Sequence, residues 1–353
     1  MQDSNRRSFL LSTAALAAMA AAGRAVQPST KPQPINKPEP KAMQPEPVLE
    51  KRKFGKTDMN VTVLGFGGAE IGFQQTDIDT VSKLLNSALD AGLNVIDTAE
   101  CYAGSEESIG KAVSHRRKDF YLFTKVGHMD GYSAPDGWTR PSITKSIDRS
   151  LERLKTDHLD LVLLHSCGKD ILEKGECIDA LEEAKKAGKI RYMGYSGDTV
   201  HALYAIETGR FDALQTSVNI VDQECIDLTL PKARERNMGV IAKRPIANAV
   251  WRYDAKPDNG YVVEYWNRLQ KLGYDFAKGD ARSDQGAQGA AGTALRFTLA
   301  VPGVHVAIVG TTRPERWKSN AQMLHDGGTL PEEKFKAIRE TWAKVNEGWT
   351  GQT

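Results

Sequence analysis

From residue 60 onward, short apolar runs rich in β-formers alternate with longer, charged segments of helical period. The apolar runs are 61–66, 94–98, 120–125, 159–165, 190–196, 213–218, 239–243 and 304–309, which predicts eight strands. Amphipathic segments at about 77–91, 104–115, 141–154, 175–187, 198–208, 226–236, 286–300 and 313–324 predict a helix near each. Strands joined through helices must run parallel. Eight such units in the roughly 300 residues of a single folded region point to a closed (β/α)8 barrel of α/β class, the TIM-barrel architecture. An open doubly wound sheet is the alternative. It lacks support because Gly65-Phe66-Gly67-Gly68, after the first strand, does not have the Gly-x-Gly-x-x-Gly spacing. Gly92 and Gly188 each follow a helical segment as C-cap candidates. Residues 51–60 with Gly55 suggest a small hairpin across the barrel floor, and 330–347 a closing helix opened by Pro331. Between the last two strands lies a long excursion, Arg244 to Ala287, rich in Trp, Tyr and Gly and helical only around 259–272. Long insertions at this end of a barrel usually shape a pocket.

The first 50 residues do not share this pattern. Arg6-Arg7-Ser8-Phe9-Leu10 precedes an apolar run from Leu10 to Ala22, and small residues follow it. That is the charged, apolar and small-residue order of a bacterial export signal over residues 1–25. The paired arginines resemble a twin-arginine (Tat) signal, with an ordinary secretory signal or an amphipathic helix as alternatives. Thirteen apolar residues are too few to span a membrane, which needs about 20. Residues 26–50 hold seven of the chain's 15 prolines and read as a semi-rigid linker. The barrel domain is then 51–350.

Composition narrows the function. The 353 residues carry 47 Lys plus Arg against 45 Asp plus Glu, a net charge of +2, with mean hydropathy −0.44. So weak a field gives no reason to expect a nucleic-acid partner or lasting membrane insertion. The four cysteines, Cys101, Cys167, Cys177 and Cys225, are widely spaced, so no metal site is expected. Long exposed edges and heptads are not evident, and a monomer is the default.

Polar residues gather at the carboxyl ends of the predicted strands, where barrels carry their chemistry. Strand two runs into Asp97-Thr98-Ala99-Glu100-Cys101-Tyr102, strand three ends in Lys125, strand four in His165, and strands five and six carry Ser196 and Gln215. An isolated Lys or Asp there would cost several kcal/mol, which a Lys125–Asp97 pair avoids. The cation beside Tyr102 would bring a phenol of ordinary pKa about 10 toward the working range. His165 would orient a substrate oxygen. The constellation suits proton donation to a carbonyl oxygen.

The chain resembles the aldo-keto reductases over about residues 52–325. The match is carried by Asp97-Thr98-Ala99 with Tyr102, Phe123-Thr124-Lys125-Val126-Gly127, Leu163-Leu164-His165-Ser166, Gly188-Lys189-Ile190-Arg191 with Gly194-Tyr195-Ser196, and Ile308-Val309-Gly310-Thr311-Thr312. The resemblance implies an NADP(H)-dependent oxidoreductase, NAD(H) being the other candidate, acting on an aldehyde, ketone or sugar-like small molecule. It maps the catalytic tetrad to Asp97, Tyr102, Lys125 and His165, with Tyr102 as proton donor. It places Ser196 and Gln215 at the nicotinamide carboxamide, and Thr311, Arg316 and Asn320 at the adenosine end. Lys243 stands where the family often stacks a Tyr, and Gly310 where it often has a Lys. His128, Trp138 and Trp251, with Tyr253 and Trp266, are expected pocket walls. The export signal implies a periplasmic enzyme, handled by the Tat machinery and carrying its own cofactor. A cytoplasmic carbonyl reductase and a non-turnover cofactor-sensing or partner-binding barrel are the alternatives.

Overall fold

The structure is a computed structural model, and it describes residues 48–128, 137–283 and 286–352. The expected signal over 1–25, and the linker as far as residue 47, lie outside the described residues. A short antiparallel hairpin comes first, β1 (Lys51–Lys53) with β2 (Asn60–Thr62). The barrel follows: β3 (Leu64–Gly67), β4 (Val95–Asp97), β5 (Tyr121–Val126), β6 (Leu159–His165), β7 (Ile190–Ser196), β8 (Ala213–Ser217), β9 (Gly239–Lys243) and β10 (Val306–Gly310). Neighbours in sequence pair in parallel, and β10 closes the ring by pairing with both β9 and β3. The expected eight-stranded barrel is therefore present.

The strand chemistry divides the apolar core in two. One set of side chains points inward, where Val95, Phe123, Leu161, Leu163, Ala213, Ile241 and Val306 fill the barrel. The alternate set, including Leu64, Ile96, Leu122, Val162 and Leu164, packs outward against the helices. Period-2 alternation with both faces buried explains why the strands read as nearly continuous apolar runs. The hairpin contributes to the inner set: Phe54 is fully buried and its ring lies 5.7 Å from that of Phe123. It plugs the floor, so the mouth is the polar end.

Two expected elements divide. The run 61–66 is not one strand, because the chain turns at Val63 from the hairpin into the barrel. The Asn94 side-chain oxygen accepts from Thr62 N at 2.7 Å and from Thr62 Oγ1 at 2.9 Å, which pins that turn. The helix expected at 226–236 is two, Glu224–Leu228 and Leu230–Glu235. Pro231 has no N–H to extend the first helix and suits the opening turn of the second. Short helices at Ala69–Phe73 and Lys169–Lys174 lie in loops that gave no periodic signal. The long excursion carries a helix at Gly260–Leu272 flanked by 3-10 turns, and Glu332–Ala343 is the closing helix after Pro331.

Truncating the floor plug tests the division of the core. Phe54→Ala is expected to cost about 3–5 kcal/mol, as a fully buried aromatic does, read as a lower urea midpoint with an unchanged slope.

Candidate active site

Asp97 ends β4 and Lys125 lies one residue before the end of β5, so parallel pairing sets both at the mouth. Each is about 1% exposed. Lys125 Nζ donates to Asp97 Oδ1 at 2.5 Å and to the Thr98 carbonyl at 2.7 Å. Gln215, from β8 across the barrel, donates its Nε2 to Asp97 Oδ2 at 2.8 Å and accepts from Ser196 Oγ at 3.1 Å. Burial pushes the Asp97 carboxyl up, and Lys125 and Gln215 pull it back. Strands β4, β5, β7 and β8 are thus joined through one polar chain.

Tyr102 lies on the loop after β4. Its ring centroid is 4.9 Å from Lys125 Nζ and 5.7 Å from the His165 ring, which meets it edge-on. His165 ends β6 and is followed by Ser166 in the left-handed region at φ +64°. Burial, with the positive charges of Lys125, Lys243 and Arg244 and the His128 side chain, holds its imidazole well below the ordinary histidine range. Its ring is therefore neutral at neutral pH. His128 Nε2 donates to the His165 carbonyl at 2.7 Å, and its ring lies 5.3 Å from His165 and 5.2 Å from Trp138. Phe73 stands 5.5 Å from Tyr102 and is 55% exposed.

The expected site residues divide into groups. Asp97, Tyr102, Lys125, His165, Ser196 and Gln215 come together, with His128 and Trp138 beside them. Lys243 is tied down: its Nζ lies 2.8 Å from Asp198 Oδ2, while the other Asp198 oxygen accepts from Thr216 Oγ1 and Ser217 N. Next to it, Arg244 is left-handed at φ +53° and its guanidinium covers the Tyr261 ring at 4.8 Å. Trp251 is buried in the excursion, where it lines a cavity of about 200 Å³ with Tyr253, Gly273 and Arg282. The Trp266 indole N–H donates to the Tyr253 carbonyl within the same excursion.

At the end of β10 a Cβ on Gly310 would fall 1.5 Å from Glu70 Oε2, so no larger residue fits while Glu70 holds its place. Desolvation pushes the Glu70 carboxyl up. Thr311 Oγ1 accepts from Arg313 N at 3.1 Å in the turn leading to the helix Arg316–Gly327, on which Asn320 is buried. Burial, and then the guanidiniums of Arg313 and Arg252, lower the pKa of Arg316, so three positive groups meet here. A phosphate dianion fits such a cluster.

Several contributors left little trace in the sequence. Glu100 is 6% exposed; its carboxylate takes Arg149 Nη2 at 2.7 Å, Ser146 Oγ at 3.1 Å and Gly127 N at 3.2 Å. Glu106 accepts from Thr124 Oγ1 at 2.7 Å, with Arg153 at 3.5 Å. Both brace β5 just where Lys125 leaves it. Their contacts come from residues about 20 to 50 positions away in sequence. Cys101 Sγ lies 3.4 Å from His165 Nδ1. A last unexpected part is residues 350–352. Arg268 donates to the Thr350 carbonyl, Gly351 N to Glu224 and Gln352 N to Asp222, while the Gln352 carbonyl accepts from Ser217 and Arg244. Among the described residues no cluster of metal-ligating side chains is present, and no helix is long and apolar enough to cross a membrane.

A parallel barrel whose mouth pairs a buried Lys–Asp couple with a phenol and a neutral imidazole defines a carbonyl oxidoreductase. The aldo/keto reductase family model matches residues 63–343, and the chain belongs to that family. It is 29% identical over 311 residues to the uncharacterized oxidoreductase YqkF of Bacillus subtilis, covering 82% of this chain and 96% of that one. The holo form of an aldo-keto reductase from Bacillus halodurans superposes with a TM-score of 0.70 at 27% identity, over 83% of this chain and 96% of that one. An aldo-keto reductase from Klebsiella pneumoniae in complex with NADPH gives 0.65 at 26% identity, over 83% and 95%. The protein is an NAD(P)H-dependent oxidoreductase acting between carbonyl and CH–OH groups.

The segment 350–352 rests on Asp222, whose Oδ2 accepts from Tyr265 OH at 2.8 Å and Gln352 N at 2.9 Å. Burial pushes its carboxyl up to about 7. The folded state then holds this proton more tightly than the unfolded chain, whose Asp titrates at about 3.9. Stability from this group is greatest below pH about 4, falls as pH rises to about 7, and is level beyond. Asp222→Asn is expected to flatten that part of the stability–pH curve, measured by urea unfolding at stepped pH.

Proposed function

We propose that this protein reduces an aldehyde, ketone or sugar-like carbonyl with NADPH, or runs the reverse oxidation, with Tyr102 as the proton donor. The single observation that carries the reading is the position of Lys125 Nζ, 4.9 Å from the Tyr102 ring centroid and held by Asp97. A fixed cation there stabilises the phenolate left when the Tyr102 hydroxyl gives its proton to the substrate oxygen. Asp97 keeps Lys125 in place, and Gln215 keeps Asp97 in place. His165, neutral and buried, donates a hydrogen bond to the same oxygen and orients it. In oxidation the proton returns to Tyr102 by the same path.

The bound cofactor supplies the hydride. Ser196 and Gln215 would hold its carboxamide end, and Thr311, Arg316 and Asn320 its adenosine end. Arg252 and Arg313 join Arg316 in favouring a 2′-phosphate, since their mutual repulsion is relieved by a dianion. Phe73, His128 and Trp138 form the aromatic wall beside Tyr102 and His165. We further propose that residues 1–25 direct the folded, cofactor-loaded enzyme out of the cytoplasm by the twin-arginine route, with 26–50 as a tether. Two adjacent arginines before an apolar run support this. Fractionation of the native host tests it: protein in the periplasm with stoichiometric NADP(H), released by denaturation, is the expected result, and protein confined to the cytoplasm overturns it.

Tyr102→Phe is expected to lower kcat by at least about 100-fold, the scale of a lost acid–base catalyst, with NADPH binding unchanged. Undiminished turnover would sink the mechanism. Arg316→Ala is expected to weaken NADPH by about 10–100-fold in fluorescence titration, as loss of a charged hydrogen bond does, and to leave NADH nearly unchanged.

A further inference from the structure

We infer that Glu70 is a cofactor-binding residue: its carboxylate accepts hydrogen bonds from the free hydroxyls of the nicotinamide ribose. The inference rests on the reading of the mouth as a site for NADP(H).

Glu70 is fixed at the mouth by the backbone around it. It lies on the short helix Ala69–Phe73 after β3. The Gly68 amide, just before that helix, donates to the Asp97 carbonyl at 2.7 Å. Farther along, Gly72 lies so close to the next loop that a Cβ on it would fall 1.8 Å from the Tyr102 carbonyl oxygen. The helix is thus seated on the strand end that carries Asp97 and the loop that carries Tyr102. From there Glu70 reaches toward β10, and its Oε2 takes the space that a Cβ on Gly310 would fill. Gly310 pairs with Gly67 in the parallel ladder, so the carboxylate lies where β3 and β10 meet.

Its neighbours among the acids of the mouth are matched by cations. Asp97 has Lys125, Glu100 has Arg149, Glu106 has Arg153 and Asp198 has Lys243. Glu70 is partly buried, yet among the described residues no cation pairs with its carboxylate and no other side chain donates to it; its own amide does. Burial accordingly pushes the carboxyl up. Taking a carboxylate out of water without a partner is unfavourable. A donor from outside the chain would supply what the protein does not.

The chemistry of the dinucleotide selects that donor. With its carboxamide end at Ser196 and Gln215 and its adenosine end at Thr311, Arg316 and Asn320, its middle passes the end of β10, where Gly310 precedes Thr311. That middle holds a pyrophosphate and the nicotinamide ribose. A pyrophosphate is an anion that only accepts, so a carboxylate repels it. The ribose carries two neighbouring hydroxyls, each a donor, and the two oxygens of a carboxylate can take both. The adenosine ribose of NADPH offers no such pair, because its 2′ oxygen is phosphorylated.

The test is equilibrium binding to the full-length protein, without turnover. NADPH is titrated by fluorescence, and adenosine 2′,5′-bisphosphate, which carries the adenosine end alone, by calorimetry. Glu70→Ala is expected to weaken NADPH by about 10–100-fold, the scale of hydrogen bonds to a charged group, and to leave the bisphosphate unchanged. Glu70→Gln keeps one acceptor oxygen and is expected to weaken NADPH by less, about 3–10-fold, again with the bisphosphate unchanged. An alanine variant that binds NADPH as well as the unsubstituted protein, or better, overturns the inference. Should alanine disturb the helix and lose both ligands, the glutamine variant, equal in size to the original, decides: unchanged NADPH affinity, or equal loss of both ligands, overturns the inference there. An unsubstituted protein that binds no NADPH overturns the cofactor reading itself, so the two failures are told apart.

Discussion

The buried Lys125–Asp97 pair is the constraint around which the mouth of this barrel is built. Two charges at about 1% exposure are costly, and the loss of either partner alone would strand the other. The fold meets this cost with directed groups. The Thr98 carbonyl takes a second Lys125 hydrogen, and Gln215 takes the second Asp97 oxygen from the opposite side of the barrel. Around them stands an outer ring of acids, Glu100 and Glu106, each held by an arginine from the helix Arg140–Leu154. That ring grips Gly127 N and Thr124 on either side of Lys125. Stability and chemistry are coupled here, because the groups that make the ion pair tolerable also fix the strand ends from which Tyr102 and His165 reach inward.

The apolar filling below the mouth explains why this arrangement is rigid. Aliphatic side chains and Phe54 close the barrel from beneath, so the pair has neither water nor space on that side. Charge can be relieved only upward, into the mouth. A phenol there sits over a cation that cannot retreat. The same logic holds at His165, where burial and surrounding cations keep the ring neutral.

Much of this was legible in the chain. Eight apolar runs with helical segments between them specified a parallel barrel, and the strand ends named Asp97, Lys125 and His165 because polar residues after an apolar run are conspicuous. The run 61–66 hid a turn because Val63 is apolar on both sides of it, and only the Asn94 contact reveals the break. Glu100 and Glu106 were hidden for a different reason. Their partners are supplied by other elements, and no local spacing encodes an arginine that arrives from a helix some 50 residues on. Trp251 shows the converse. An aromatic in a long loop reads as a pocket wall; Trp251 lines a cavity within the excursion while most of its side chain is buried in the excursion's own packing.

The charges at the rim bear on the choice of cofactor. The chain as a whole is nearly neutral, so a cluster of arginines cannot be put down to a basic composition. Lys243 is matched by Asp198, and Arg244 is held by Tyr261, Ser217 and the Gln352 carbonyl. At Arg316, burial first and then the nearby guanidiniums of Arg313 and Arg252 lower its pKa. Gly310 leaves no side chain at the end of β10, and a Cβ there would displace the Glu70 carboxylate. Discrimination between a cofactor with a 2′-phosphate and one without should therefore follow charge on the Arg252–Arg313–Arg316 face rather than contacts at the end of β10.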